Sequence, residues 1–415
     1  MDQYRWTLGV DWGGAGHYIC VMRADGEVMG TRAVAHTRAA VHEAIGWVTT
    51  LIGSPRSAIA VAIETPRGIL VDTLIEQGFA VFAINPKQLD RFRDRFSVGG
   101  AKDDPRDARV LADALRTDRR AFRPVHPDNP QIIYLRELCR IDEELQDSVT
   151  RLANRLREQL YRVDAAWLQL SPAADDAWLW ELLRDASHPD QWARLSRTRV
   201  ARVLKTHRIR RLTVEEVITA VRQPRLAAAP GVSEAVATRI GALVPQLLLI
   251  DQQRTSTARQ IERSLDNLAG PSEGEPREHR DVIILRSLPG VGRTVAATML
   301  TEAAGPLAER NYSTLRAHAG TAPITKRSSK RTFAVHMRYA CKHRLRNALF
   351  HWSRSSIQHD AAARAYYDQL RARGHHHSRA LRSVADRWLR ILIAMLRAGS
   401  IYDPSRFDQA TVTAP

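Results

Sequence analysis

Residues 6–28 read WTLGVDWGGAGHYICVMRADGEV: an apolar run carrying Asp11, a cluster of glycines, a second apolar run and the pair Asp25–Gly26. Apolar segments of strand length, punctuated by glycine and closing on Asp-Gly, predict two strands and a hairpin turn. Residues 58–66, AIAVAIETP, give another buried strand that carries Glu64 at its end, where Thr65–Pro66 stops it. FAVFAINP, 79–86, reads as a further buried strand. A carboxylate at the end of a buried strand costs free energy unless it is paired or binds metal. Asp11 and Glu64 are therefore candidates for chemistry.

Residues 101–115, AKDDPRDARVLADAL, predict a helix. Asp104 reads as its N-cap, with Pro105 at the first helical position and Asp107 three residues on, an acidic form of the capping box. The same spacing puts both carboxylates on one helix face, so capping and metal binding are compatible. Asp103, one position away, reads as a decoy. Taken in order, the acids stand on the first strand, after a later central strand, and as a pair opening a helix. That order suits a ribonuclease-H-like fold performing two-metal phosphoryl transfer, with oxygen ligands holding Mg²⁺. An actin-like sugar-kinase fold also uses a GVDWGG strand, but it needs a second nucleotide-binding half that the later sequence does not supply.

At 415 residues the chain has room for two or three domains. No run approaches the roughly 20 apolar residues of a membrane span, and MDQYRWTLGVDWGG lacks the order of a secretory signal. Three widely spaced cysteines, Cys20, Cys139 and Cys341, give neither a disulfide framework nor a zinc-binding spacing, so a reducing cytoplasm is expected. The net charge of +17 is concentrated: residues 311–400 hold 18 Lys and Arg against 3 Asp and Glu. Such an imbalance predicts a nucleic-acid-binding surface.

Between the two ends the pattern is helical. Leu135, Leu138, Leu145, Val149, Leu152, Leu156 and Leu160 recur at three-four spacing within 132–170. A second such stripe runs from Val236 to Leu268. These predict two long helices with a coiled-coil-like seam, arranged as an antiparallel hairpin that pairs with another subunit or closes an intramolecular helical domain. The inserted segment 171–232 holds the basic run SRTRVARVLKTHRIRRL, and GPSEGEPREH at 270–279 has linker composition.

The expected fold class is α/β plus all-α. Its domains are 1–125 (catalytic), 126–275 (helical linker) and 276–400 (basic and mostly helical), with a tail at 401–415. The last domain opens with LPGVG leading into a helix, like a helix-hairpin-helix element, with Gly290 and Gly292 allowing close backbone approach to phosphate. Two serines, Ser328 and Ser329, follow among Lys326, Arg327, Lys330 and Arg331. Such a hydroxyl suits attack on a phosphodiester, and the same cluster suits a plain phosphate-binding loop. Arg338, Lys342, Arg344 and Arg346 extend the basic surface, and His375–His377 read as a solvated turn.

GVDWG, IETP and KDDPRDARVLA, then a helical spacer, LPGVGRTVAATMLTEA and GTAPITKRSSKR…RYACKHRLRNAL, keep one motif order over nearly the whole chain. The set resembles the DEDD transposases of the bacterial insertion sequence 110 group. The resemblance implies a RuvC-like domain, a coiled-coil linker and a C-terminal domain supplying a nucleophilic serine. It also implies a structured noncoding RNA that guides recombination of double-stranded DNA, and a homo-oligomer from dimer to tetramer in which acids and serine come from different protomers. Position by position, Asp11, Glu64, Asp104 and Asp107 match the metal ligands, and Ser328 matches the serine. Arg327 and Ser329 replace the usual glutamine and glycine around it, which keeps Ser329 as an alternative nucleophile. A RuvC-like nuclease that uses water, without a covalent intermediate, is the competing reading.

Overall fold

The computed structural model describes residues 4–405 except 15, 67, 97–102, 126–128, 225–228, 230, 271–277 and 329–330, with backbone alone for 278–280, 325–328 and 331–336. Ser329 and Lys330 thus lie outside the described residues, as do the side chains of Lys326, Arg327, Ser328 and Arg331. The chain divides into two compact units, 1–129 and 130–415.

The first unit is built on a six-stranded mixed sheet. Its strands are β1 (Trp6–Trp12), β2 (Gly16–Arg23), β3 (Val28–Ala35), β4 (Ile59–Ile63), β5 (Ala80–Ala83) and β6 (Arg123–Pro124), in spatial order β3-β2-β1-β4-β5-β6. β1 pairs antiparallel with β2 and parallel with β4, and β4 continues parallel to β5. Helices α1 (Arg38–Ile52), α2 (Ile69–Glu76), α3 (Pro86–Arg93) and α4 (Asp104–Thr117) complete the layers. Strand alternation sorts the side chains. Leu8, Val10, Ile59, Val61 and Ile63 join Ala44, Val48 and Leu74 in one core. Ala60 and Ala62 join Leu111 and Leu115 of α4 in another.

The second unit is almost wholly helical. Two long helices, α5 (Pro130–Val163) and α10 (Val232–Ala269), run antiparallel, and Tyr134 Oη at the start of one donates to Gln260 Oε1 near the end of the other at 3.1 Å. Between them in sequence come α6 (Ala166–Leu170), α7 (Ala177–Asp185), α8 (Arg197–Thr206) and α9 (Val214–Arg222). Their Trp167, Trp178 and Trp180, with Trp192 from the 3-10 turn Pro189–Arg194, fill a core with Leu156, Leu160, Val236 and Ile240. The basic run proves to be amphipathic: Val200, Val203 and Leu204 of α8 are buried, while Arg199 bonds Glu181 and Asp185, and Arg211 bonds Asp176. α10 is long and apolar enough to pass for a membrane-crossing helix by length and composition only, with mean hydropathy 1.3 over 18 residues. Its stripe of Val236, Ile240, Val244 and Leu247 lies in the core.

The remaining elements are α11 (Glu278–Arg286), α12 (Arg293–Glu302), α13 (Ala304–Ala308), α14 (Tyr312–His318), the hairpin β7 (Ile324–Ser328) and β8 (Arg331–His336), α15 (His343–His359), α16 (Ala361–Ala372) and α17 (His377–Ala398). They share a core with the other end of the long pair, through Leu135, Leu138, Leu265 and Leu268. The histidine run is more than a turn: His376 caps α17 and His377 begins it, its Nδ1 2.7 Å from Tyr367 Oη.

Candidate active site

Gly9 explains why α4 lies where it does. A β-carbon placed there would sit 1.9 Å from the Ala108 carbonyl oxygen and 2.6 Å from the Ala112 nitrogen, so only glycine lets the helix backbone rest on β1. Ala108 and Ala112, one turn apart, are fully buried against Cys20 and Met22. Asp11 follows Gly9 by two positions and so shares its face of the strand. Glu64 continues the alternation of Ala60 and Ala62 toward the same helix. Val10 and Ile63 are the last parallel pair, so Asp11 and Glu64 leave the carboxyl ends of adjacent strands about 4.8 Å apart.

α4 carries the other two acids in its first turn, with a change from expectation. Its N-cap is Asp103, whose Oδ1 accepts from the Arg106 backbone N–H at 2.7 Å. Asp104 is the first helical residue and is exposed, so it is relieved of the capping role the sequence suggested. The reason is a register shift of one: Pro105 is equally compatible with the second helical position, where its missing N–H is also harmless. Asp103 is therefore the structural acid of the pair.

Asp107 is fully buried, and both its oxygens are taken. Arg93, the last residue of α3, donates from Nε to Oδ1 at 2.7 Å and from Nη2 to Oδ2 at 2.9 Å, while its Nη1 bonds Asp90. Burial works against the Arg93 charge, but the hydrogen bonds to Asp107 and the charges of Asp107, Asp90 and Glu64 outweigh it and hold its pKa above the ordinary value. Glu64 thus feels the same guanidinium. Nothing in the acidic pattern of the sequence pointed to Arg93; its signal was a basic residue in the helix directly after the strand 79–86. Among the described residues no three His, Cys, Asp or Glu side chains converge closely enough to hold a metal ion. The oxygen donors have the right chemistry for a hard cation, yet Asp107 joins such a set only when Arg93 withdraws.

On the opposite face of β1, Trp12 packs on both His17 and His36. His17 is buried with its Nε2 2.9 Å from His36 Nδ1; burial and the neighbouring His36 hold its pKa below the ordinary range.

The serine hairpin belongs to the second unit. Ser328 ends β7 and pairs with Arg331 at the start of β8. Of the more distant basic candidates, Lys342 donates to the Glu302 carbonyl oxygen at 2.6 Å, Arg344 bonds Glu143, and Arg338 donates to the Ala340 carbonyl oxygen at 3.1 Å. Arg346 has no such bond among the described residues and lines a cavity. Gly290 serves packing: with φ of 80°, it brings the LPGVG turn onto α15, where a β-carbon would lie 2.7 Å from the Ser356 nitrogen. Trp352 Nε1 fastens the same turn by donating to the Pro289 carbonyl oxygen at 3.0 Å. Gly292, the N-cap of α12, is exposed with open space around it.

A transposase family profile of the IS110 DEDD type matches residues 8–163, and one described as the transposase IS116/IS110/IS902 family matches residues 283–368. The first span holds all four acids and the second holds the serine hairpin. A Streptomyces coelicolor protein, provisionally named the mini-circle transposase for IS117, is 30% identical over 408 residues, covering 96% of this chain and 95% of that relative. A Sinorhizobium fredii protein provisionally named transposase y4uE is 46% identical over 211 residues, a match spanning 51% of this chain and 59% of the relative. The 42 kDa protein of insertion element IS900 from Mycobacterium paratuberculosis is 27% identical over 100% of both chains.

Proposed function

Because this chain belongs to the IS110 family of DEDD transposases, we propose that it cuts and rejoins DNA through a phosphoserine intermediate at sites chosen by a structured noncoding RNA. The observation that carries the reading is the shared face at the sheet edge: Asp11 and Glu64 on adjacent strand ends, with Asp104 and Asp107 one turn apart on the helix that Gly9 admits. The sheet order, with parallel strands β1-β4-β5 at the centre flanked by antiparallel β3-β2 on one side and the short antiparallel β6 on the other, supports a ribonuclease-H-like, RuvC-like catalytic domain. We read residues 126–275 as the helical linker and 276–400 as the serine-bearing domain.

In this reading Asp11, Glu64, Asp104 and Asp107 hold divalent metal, Mg²⁺ by the hardness of their oxygens, which when bound neutralises charge on the scissile phosphate. Arg93 keeps Asp107 oriented and neutralised until then. The Ser328 oxygen attacks the phosphorus: its O–H proton is lost, an O–P bond forms, and the bond to the 3′-oxygen breaks. The products are a 5′-phosphoserine and a free 3′-hydroxyl. Attack by a partner strand's 3′-hydroxyl on that phosphoserine restores both the phosphodiester and the serine hydroxyl. Because one ester replaces another at each step, no high-energy cofactor is required. Target choice resides in base pairing to the RNA, with the protein supplying backbone contacts. The acids lie in one compact unit and the serine in the other, a division that suits assembly of each site from two protomers of a dimer or tetramer acting in the bacterial cytoplasm.

The test is recombination of element and target DNA in the presence of the guide RNA. Asp11→Ala, Glu64→Ala and Asp104→Ala should each reduce strand cleavage below detection while leaving the melting temperature near wild type. Full activity in any of them would remove that residue from the metal set.

A further inference from the structure

A cavity of about 200 Å³ opens beside the serine hairpin. Its walls come from the turn after α14, from α15 and α17, and from Met337 directly after β8. Leu349 and Leu381 supply a buried apolar floor. Phe350 lines the cavity with 40% of its surface exposed, and an exposed aromatic ring is a stacking platform for a planar guest.

Two partly buried arginines of the second unit have carboxylates: Arg310 donates to Asp281 at 2.8 Å, and Arg316 donates to Asp386 at 2.8 and 3.0 Å. Arg346 and Arg382 are each half-buried at the cavity, and neither has a carboxylate partner among the described residues. Burial of Arg382 and the like charge of Arg379 depress its pKa, with Tyr339 acting weakly the other way. A guanidinium placed in a partly dry site without a counter-ion costs free energy that an incoming anion recovers. An apolar floor, an exposed ring and two uncompensated guanidiniums are the recognition elements for a base and its phosphate.

We propose that this cavity receives one unpaired nucleotide of the DNA strand being cut, with the base against Phe350 and the flanking phosphate on Arg346 and Arg382. A paired base cannot enter so small a space, so the nucleotide must leave the stack. The site stands at the root of the hairpin: β7 begins at Ile324 and runs roughly 13 Å to Ser328. That span is about four nucleotides at ~3.4 Å each, which places the captured nucleotide a few positions from the phosphate under attack. The choice of DNA over RNA rests on the transposase reading; the cavity and its charges do not.

Full-length protein and single-stranded oligonucleotides carrying one 2-aminopurine provide the test, alongside duplex DNA and single-stranded RNA of the same sequence. Single-stranded DNA should bind with a change in 2-aminopurine emission. Phe350→Ala should abolish that change and weaken binding about 10-fold. Arg346→Gln with Arg382→Gln should weaken single-stranded binding by a larger factor than duplex binding, without lowering the melting temperature, because neither arginine has a carboxylate partner among the described residues. Equal losses on single strands and duplex would reduce the cavity to a general phosphate surface and overturn the proposal. So would a preference for the RNA oligonucleotide, or a melting temperature several degrees lower in the arginine variant. Ser328→Ala should bind and report as wild type does, so failure of the covalent chemistry and failure of this pocket are separate outcomes.

Discussion

The acid edge of the first unit and the basic face of the second handle buried charge in opposite ways. At the acid edge a wholly buried carboxylate, Asp107, is neutralised inside the fold by a two-pronged contact with Arg93. Beside the serine hairpin two half-buried guanidiniums, Arg346 and Arg382, have no carboxylate partner among the described residues. The first arrangement compensates a buried charge within the fold itself. The second spends stability to favour a polyanion. Formal charge alone does not distinguish the two, because Lys342 and Arg344 sit in the same basic stretch and are already occupied by backbone and Glu143.

The largest effect on stability should come from breaking the internal compensation. Arg93→Ala leaves Asp107 buried without its cation, a loss of about 3–5 kcal/mol in the first unit. Adding Asp107→Asn should restore much of it, since the stranded charge is then gone. A double-variant cycle by denaturant unfolding measures the coupling. Additive losses would show that the contact is incidental to the fold.

A smaller effect separates the adjacent acids of α4. Asp103→Ala should cost about 1 kcal/mol, the value of a lost N-cap, and leave strand cleavage intact. Asp104→Ala should do the reverse. If Asp103→Ala removed cleavage and Asp104→Ala spared it, the register of the metal set would be wrong by one residue.

These acids also show how far the sequence could be read. The strands of 6–28 and 58–66 were legible because each pairs an apolar run with a breaking signal, and the acids at their ends stood out against that background. Their common face followed from alternation, and Gly9 was its unread clue: a glycine inside an apolar strand marks a close approach. Capping was legible in kind and misplaced by one residue, because Asp103, Asp104 and Pro105 satisfy two helix starts almost equally. Arg93 was illegible, since the contact that matters joins positions 14 apart on two different helices. The pairing of the two long helices was visible as a repeated stripe. Their division between two cores was not, because periodicity reports which face is apolar and says nothing of what covers it.

The smallest predicted effect is a pH dependence from His17. Its pKa is lowered in the fold, so below about 6.5 the unfolded chain binds a proton that the folded chain refuses. Stability should therefore be fully present above that pH and decline as the pH falls below it. Melting curves between pH 5 and pH 8 should show a shallower acid decline in His17→Phe than in the wild type. Identical profiles would assign the acid sensitivity to other groups.

The account stands most directly on the fate of the scissile phosphate. With Mg²⁺, guide RNA and cognate DNA, wild-type protein should yield a protein–DNA species that survives denaturation, and peptide mapping should place the DNA on Ser328. Ser328→Ala should yield none while still binding both nucleic acids. DNA mapped to Ser329 would shift the nucleophile by one position and keep the chemistry. Metal-dependent cutting with no adduct from the wild type, or normal recombination by both Ser328→Ala and Ser329→Ala, would contradict the phosphoserine mechanism and favour a hydrolytic nuclease.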